Sequence, residues 1–217
     1  APAAAVADAA DALRATGAAA LYLGGRALRG NALVAAGRIA AATGARLICE
    51  TFPARMERGA GRVAVEKLPY FGEQAADYLK DFTAIVFVGA EPPVSFFAYP
   101  GKPSWLSPEG ARLVRLASLR EDAEDALTAL AAALDAPAEP GLIQPAGIPT
   151  APDGPLNLMS MGAIVAELMP ADAIVSDEAA TAGMALYPMT AGAAPHDWMT
   201  LTGGAIGQGL PLAVGAA

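Results

Sequence analysis

The run Ala84-Ile85-Val86-Phe87-Val88-Gly89 carries no charge, is rich in β-branched residues and ends on a glycine. A strand with one wet face alternates polar and apolar residues, so an unbroken apolar run of this length reads as a strand buried on both faces. Working outward, Ala18-Ala19-Ala20-Leu21-Tyr22-Leu23, ending at Gly24-Gly25, reads as a second such strand. Arg46-Leu47-Ile48-Cys49-Glu50-Thr51 and Ala111-Arg112-Leu113-Val114-Arg115-Leu116 read as two more. Helical stretches separate them: Val6 to Thr16, Asn31 to Thr43 stopped by Gly44, Gly72 to Lys80, and Glu121 to Leu134. The last has an acidic first turn, which suits the positive end of a helix dipole. Buried strands alternating with helices predict an α/β fold. Residues 1–135 are expected to form a Rossmann-like, doubly wound parallel sheet. Residues 52–69 and the Pro- and aromatic-rich stretch 91–108 read as irregular.

Residues 136–156 differ in kind. Pro137, Pro140, Pro145, Pro149, Pro152 and Pro155 interrupt any periodicity, and the stretch reads as an extended linker. Residues 157–217 open a second unit. Leu156-Asn157 leads a helix through Leu168 that Pro170 closes, and Ala173-Ile174-Val175-Ser176 reads as a strand running into Asp177-Glu178. Ala179 to Tyr187 reads as helical and Gly192 to Asp197 as a loop. One strand cannot satisfy its own edges, so this is expected to be an incomplete α/β unit.

The 217 residues are 54% hydrophobic, enough for a substantial core in one or two domains. The net charge of −8 argues against nucleic acid as a partner, because phosphate contacts need clustered Lys and Arg. There is no uninterrupted apolar run long enough for a membrane span, and no signal-peptide pattern at the start. Cys49 is the single cysteine, so no internal disulfide forms, and a cytoplasmic location is expected. His196 is the single histidine, which excludes a multi-histidine metal site. The chain opens Ala1-Pro2-Ala3 and stops at Ala217 inside a helical run; it is expected to be an interior piece of a longer polypeptide.

Several single residues invite a functional reading and a plainer one. Gly24-Gly25-Arg26-Ala27-Leu28-Arg29-Gly30 lacks the glycine spacing of a dinucleotide fingerprint, although Glu50 lies roughly 20 residues on, as that fingerprint expects. A structural strand-to-helix turn is the favoured reading. Arg55, Arg58 and Arg62 offer a phosphate clamp but read better as solvated loop arginines. Cys49 reads as a small buried residue, His196 as a surface or loop histidine, and Phe96, Phe97, Tyr99 and Trp105 as the cover of a sheet edge or an interface.

The last motif is more specific. Leu201-Thr202-Gly203-Gly204-Ala205-Ile206-Gly207-Gln208-Gly209-Leu210-Pro211 is a glycine-rich turn feeding an apolar, alanine-rich helix. Such a turn brings free N–H groups and a positive dipole end to one point, a place for an anionic group. Preceded by the strand ending in Asp177-Glu178 and by Thr181, the segment Gly203 to Gly215 resembles the Gly-Gly-x-Leu/Ile-Gly-x-x-Leu-Pro-x-x-x-Gly segment of thiamine diphosphate-dependent enzymes. The branch it resembles is that of the acetolactate synthase large subunit and benzoylformate decarboxylase. The resemblance extends back over the chain, with residues 1–135 similar to the family's central domain and 157–217 to the start of its diphosphate-binding domain.

By position, the resemblance implies that Ala180 and Thr181 lie at the diphosphate, with the Thr181 hydroxyl as donor. The carbonyl of Gly204 accepts from the aminopyrimidine amino group, and the side chain of Ile206 is the wedge that bends the cofactor so that it activates itself. The family's Mg²⁺ motif and the glutamate that protonates the aminopyrimidine are not in these 217 residues. No catalytic residue and no metal ligand is therefore assigned, and the isolated piece is expected to be inactive. The resemblance implies a parent enzyme that uses thiamine diphosphate and Mg²⁺ on a small 2-oxo acid, by decarboxylation or carboligation. It also implies a homodimer or homotetramer. Two other classes stay open: a nucleotide-binding module for ADP, FAD or NAD at Gly24-Gly25, and a structural or oligomerisation domain.

Overall fold

The computed structural model describes residues 1–15, 17–181 and 183–217. Eight strands occur among them: β1 (Ala18–Leu23), β2 (Arg46–Cys49), β3 (Met56–Arg58), β4 (Glu66–Lys67), β5 (Phe82–Val88), β6 (Arg112–Ala117), β7 (Ala173–Asp177) and β8 (His196–Thr200). The helices are α1 (Ala3–Arg14), α2 (Gly30–Thr43), α3 (Gly72–Leu79), α4 (Ala123–Ala133), α5 (Leu158–Leu168), α6 (Leu186–Met189) and α7 (Gly209–Ala216), with short 3-10 turns at Gly25–Leu28 and Thr202–Gly204. Thr16, expected to end the first helix, lies outside the described residues. Among those residues no helix is long and apolar enough to cross a membrane.

The chain divides into two compact units. The first comprises Ala1–Thr51 and Val65–Leu142, the second Phe52–Ala64 and Ile143–Ala217.

The first unit is the α/β layer structure that the buried strands predict. Its sheet has the order β4-β2-β1-β5-β6, every pair parallel. Along the chain these are the third, second, first, fourth and fifth strands of the unit, the doubly wound order. Side chains alternate across a strand, so each strand serves two cores. Tyr22, Ile48, Ile85 and Phe87 pack with Ala75 and Leu79 of α3. Their neighbours Leu21, Leu23, Val86 and Val88 are buried on the opposite face, which α1, α2 and α4 cover. Helix ends follow local chemistry. Asp122 caps α4, its carboxylate accepting from the N–H groups of Glu124 (2.9 Å) and Asp125 (3.1 Å). Gly44 ends α2 at φ 73°, a left-handed position that favours glycine. At the β2–β4 edge, Arg46 pairs with Glu66, whose carboxylate also accepts from the Tyr78 hydroxyl at 2.8 Å.

The second unit holds a three-stranded sheet in the order β3-β8-β7, β3 antiparallel and β7 parallel to β8. The sequence reading expected one strand here. Two others were hidden: β3 lies in a stretch read as irregular, and β8 begins where a loop was expected. The helix α5 begins with a reciprocal cap, in which Ser160 N–H donates to Asn157 Oδ1 (3.0 Å) and Asn157 N–H to Ser160 Oγ (2.8 Å). The stretch 179–187, expected to be helical, forms turns before the four-residue α6. Asp177 Oδ1 accepts from the Ala179 N–H at 3.0 Å, an alternative to helical pairing. Ala182 within this stretch lies outside the described residues.

Candidate functional site

The chemistry-bearing part of the second unit is built where β7 ends and α7 begins. The turn between β8 and α7 takes φ 63° at Gly203, 71° at Gly204 and 95° at Gly207. Three of its glycines therefore stand where a side chain is strained. The turn closes on itself: Gly204 N–H donates to the Leu201 carbonyl (3.3 Å), Ala205 N–H to Thr202 (3.2 Å), and the Thr202 hydroxyl to Gln208 Oε1 (2.8 Å). The Gly204 carbonyl accepts from the Ile206 N–H at 3.0 Å. A carbonyl oxygen has two lone pairs, so one acceptor position is left for another donor. Ile206 is 90% exposed at the crest of the turn, an apolar side chain with nothing of its own unit over it.

The place for an anion at the α7 N-terminus is taken by the chain itself. Glu178 accepts from the Gly207 N–H through Oε1 and from the Gly209 N–H through Oε2. Those two donors hold its carboxyl below the ordinary carboxylate range. Glu178 follows β7 directly, and Ala180 and Thr181 lie two and three residues further on, both exposed. The two segments that carry the expected site residues, 180–181 and 204–206, are thus joined by one carboxylate. In the sequence, Asp177 and Glu178 mark only the end of the strand that precedes the glycine turn, with no contact expected of either. Asp177 instead accepts from Ala179 N–H and from Trp198 Nε1 at 3.3 Å. Among the described residues no group of three His, Cys, Asp or Glu side chains is placed to hold a metal ion.

The three arginines do not converge on open space. Arg55 pairs with Asp197 at 2.7 Å and Arg62 lies 3.5 Å from Glu57. Arg58, expected to be solvated, is buried. Its guanidinium lies 3.8 Å from the ring centre of Tyr187 and 4.9 Å from that of Trp198, and donates to Thr190 Oγ1 (2.9 Å) and the Tyr187 carbonyl (2.6 Å). His196, expected in a loop or at the surface, is a buried strand residue. Hydropathy alone hides both, because their burial depends on aromatic neighbours distant in sequence.

In the first unit, Cys49 is buried as expected. Glu50 is half-buried at the end of β2, and burial raises its pKa. At the switch between β1 and β5, Gly24 and Gly89 meet backbone to backbone. A Cβ on Gly24 would lie 2.3 Å from the Gly89 carbonyl oxygen, and one on Gly89 2.6 Å from that of Gly24. The glycines after β1 therefore let two strand ends touch. Phe96, Phe97, Tyr99 and Trp105 are exposed. Phe96 and Phe97 line a small cleft of about 50 Å³ with Tyr70, Phe71 and Tyr99.

Comparison with known proteins agrees with this architecture. No family model matches the chain. Over 200 residues, 91% of this chain, it is 52% identical to a Mycobacterium tuberculosis protein that carries the provisional name acetolactate synthase large subunit IlvX, of which it covers 38%. The thiamine diphosphate-dependent 4-hydroxybenzoylformate decarboxylase of Rhodococcus jostii superposes with a TM-score of 0.74 at 22% identity, over 100% of this chain and 44% of that one. The benzoylformate decarboxylase of Polynucleobacter necessarius superposes with a TM-score of 0.73 at 20% identity, over 98% of this chain and 42% of that one. At those identities the superpositions show the fold. The chain thus spans less than half the length of these relatives, and the resemblance to thiamine diphosphate-dependent enzymes drawn from its sequence is borne out.

Proposed function

We propose that this chain, similar along nearly its whole length to part of the thiamine diphosphate-dependent enzymes, forms the central domain and the opening of the diphosphate-binding domain of such an enzyme. The parent acts on a small 2-oxo acid, by decarboxylation or carboligation. Residues 1–135 correspond to the central domain, 136–156 to the linker and 157–217 to the start of the cofactor domain. The observation that carries the reading is the turn 203–207, which raises an exposed isoleucine over a carbonyl with a spare lone pair.

The residues present fit the cofactor. Thiamine diphosphate, when bound, supplies an electron sink for breaking or making the C–C bond beside the substrate carbonyl. The chain's part is to orient. Ile206 would offer the apolar edge that orients the cofactor's rings. The Gly204 carbonyl would accept from an amino group of the cofactor, and the exposed Ala180 and Thr181 would lie at its diphosphate, with the Thr181 hydroxyl as donor. The Mg²⁺ that accompanies the diphosphate takes its ligands from the remainder of the parent. The chain alone is accordingly inactive, and the parent works as a cytoplasmic homodimer or homotetramer.

Ile206→Ala in the full-length protein tests the reading. Removing most of a contacting isoleucine forfeits about 1–3 kcal/mol of apolar contact, so thiamine diphosphate binding weakens about tenfold or more and turnover falls. Unchanged cofactor affinity and unchanged turnover overturn the assignment.

A further inference from the structure

Gly209, the first residue of α7, is gripped from both sides of its peptide backbone. Its N–H donates to Glu178 Oε2, and its carbonyl accepts from the Ser176 hydroxyl at 2.9 Å. Ser176 and Glu178 are two residues apart at the end of β7, on the same side of an extended chain. The other carboxylate oxygen of Glu178 takes the Gly207 N–H. The first N–H groups of a helix have no partner within it, and bonds from them to an ionised carboxylate are among the stronger hydrogen bonds of a protein.

Gly209 differs from the other glycines of the turn, because its φ is not in the left-handed region. Space is what excludes a side chain. A Cβ at 209 would lie 2.7 Å from Glu178 Oε2 and 3.0 Å from Glu178 Cβ. Gly209 is therefore a glycine on account of Glu178.

From this geometry we infer that Glu178 is the positioning residue of the turn 203–208: its carboxylate clamps the Gly207 and Gly209 amides to the end of β7. The clamp sets the height of the Gly204 carbonyl and the Ile206 side chain against the arm that carries Ala180 and Thr181. The Glu178 carboxylate bonds to none of the groups assigned to the cofactor and acts through the backbone it holds, while the Glu178 carbonyl accepts from the Ala180 N–H at 3.1 Å. The inference deepens the functional reading above and rests on it for its cofactor arm.

The test uses full-length protein selectively labelled with ¹⁵N-glycine, in wild-type, Glu178→Gln, Gly209→Ala and doubly substituted forms. Glutamine keeps the shape but turns a donor toward one of the two amide donors. Alanine at 209 pushes the carboxylate away while keeping its own N–H. In each single variant the Gly207 amide exchanges with solvent about tenfold or more faster, and thiamine diphosphate binds about tenfold more weakly. The double variant is no worse than either single one, because both break the same contact.

Unchanged exchange at Gly207 in Glu178→Gln overturns the clamp. Faster exchange with unchanged cofactor affinity overturns the positioning role alone, as does additivity in the double variant. A wild-type protein that binds no thiamine diphosphate overturns the functional reading and the positioning role together. The exchange measurement then still decides whether the clamp exists.

Discussion

His196 stands directly opposite Arg58 across the antiparallel β3–β8 pair, and both are buried. The His196 ring lies 6.0 Å from that of Trp198, which also stacks on the Arg58 guanidinium. Nδ1 is 2.7 Å from the Ala194 carbonyl oxygen and so carries the proton that donates to it, while Nε2 is buried with no hydrogen-bond partner among the described residues. A neutral ring fits this place. A second proton would put a new cation beside an existing one.

That arrangement makes stability depend on pH. Burial first, then the nearby Arg58 charge, holds the His196 pKa below its ordinary value of 6.5, against a smaller upward pull from the Ala194 bond and Asp197. The folded state therefore binds fewer protons than the unfolded state. Its stability is full above pH 6.5 and falls as the pH drops below that value, levelling only below the folded-state pKa. Thermal melts between pH 8 and pH 5 will show a falling midpoint in wild type. His196→Asn, which keeps a donor near the Ala194 carbonyl and does not titrate, will show a smaller fall. Parallel curves for the two proteins contradict the assignment.

Arg58→Lys will destabilise the second unit by about 2–3 kcal/mol. Lysine replaces a flat guanidinium stacked on two rings with a compact ammonium, and it cannot reach Thr190 Oγ1 and the Tyr187 carbonyl with the same fork. Urea denaturation followed by the fluorescence of Trp198, with Trp105 replaced by phenylalanine in both proteins, reads the loss. A midpoint equal to that of wild type removes the structural role given to the cage.

Alanine at Gly24 or Gly89 will be far more damaging than alanine at Gly44. The first two meet opposing backbone at 2.3 Å and 2.6 Å, whereas the Gly44 position opens on free space. The expected costs are about 3 kcal/mol or more for either switch-point glycine and about 1 kcal/mol for Gly44, whose penalty is its left-handed φ alone. Soluble yield and denaturation midpoint order the three variants. Equal midpoints would mean that the two strand ends do not touch.

ADP, FAD and NAD will give no saturable binding in calorimetric titration. The glycines that a dinucleotide site needs for close approach to a pyrophosphate are here spent on each other, Gly24 against Gly89. Stoichiometric saturation by any of the three would restore the nucleotide-binding alternative for the first unit.

What the sequence reveals of this molecule follows from which signals are local. The strands β1 and β5 are legible because Ala18 to Leu23 and Ala84 to Val88 carry no charge, so burial is written in each residue. The strand β8 escapes because His196, Asp197 and Thr200 look polar, although His196 and Thr200 are buried. The strand β3 escapes because one of its buried residues is an arginine whose cage comes from Tyr187 and Trp198. In the site, the glycine turn is legible because positive φ at 203, 204 and 207 leaves a compositional mark. The task of Glu178 leaves none. A carboxylate that binds backbone N–H groups some thirty positions away depends on the fold and not on any spacing.

The strand β3 also imposes an order of events on synthesis. Arg58 leaves the ribosome 132 residues ahead of Thr190, one of the groups that will enclose it. The second sheet is therefore closed by the longest-range pairing of its unit, the kind of contact that slows folding. The early segment Phe52–Ala64 must stay soluble and uncommitted until β8 is made. A nascent chain that stalls between Tyr187 and Trp198 would hold every strand of the first sheet and an arginine with only one of its two rings.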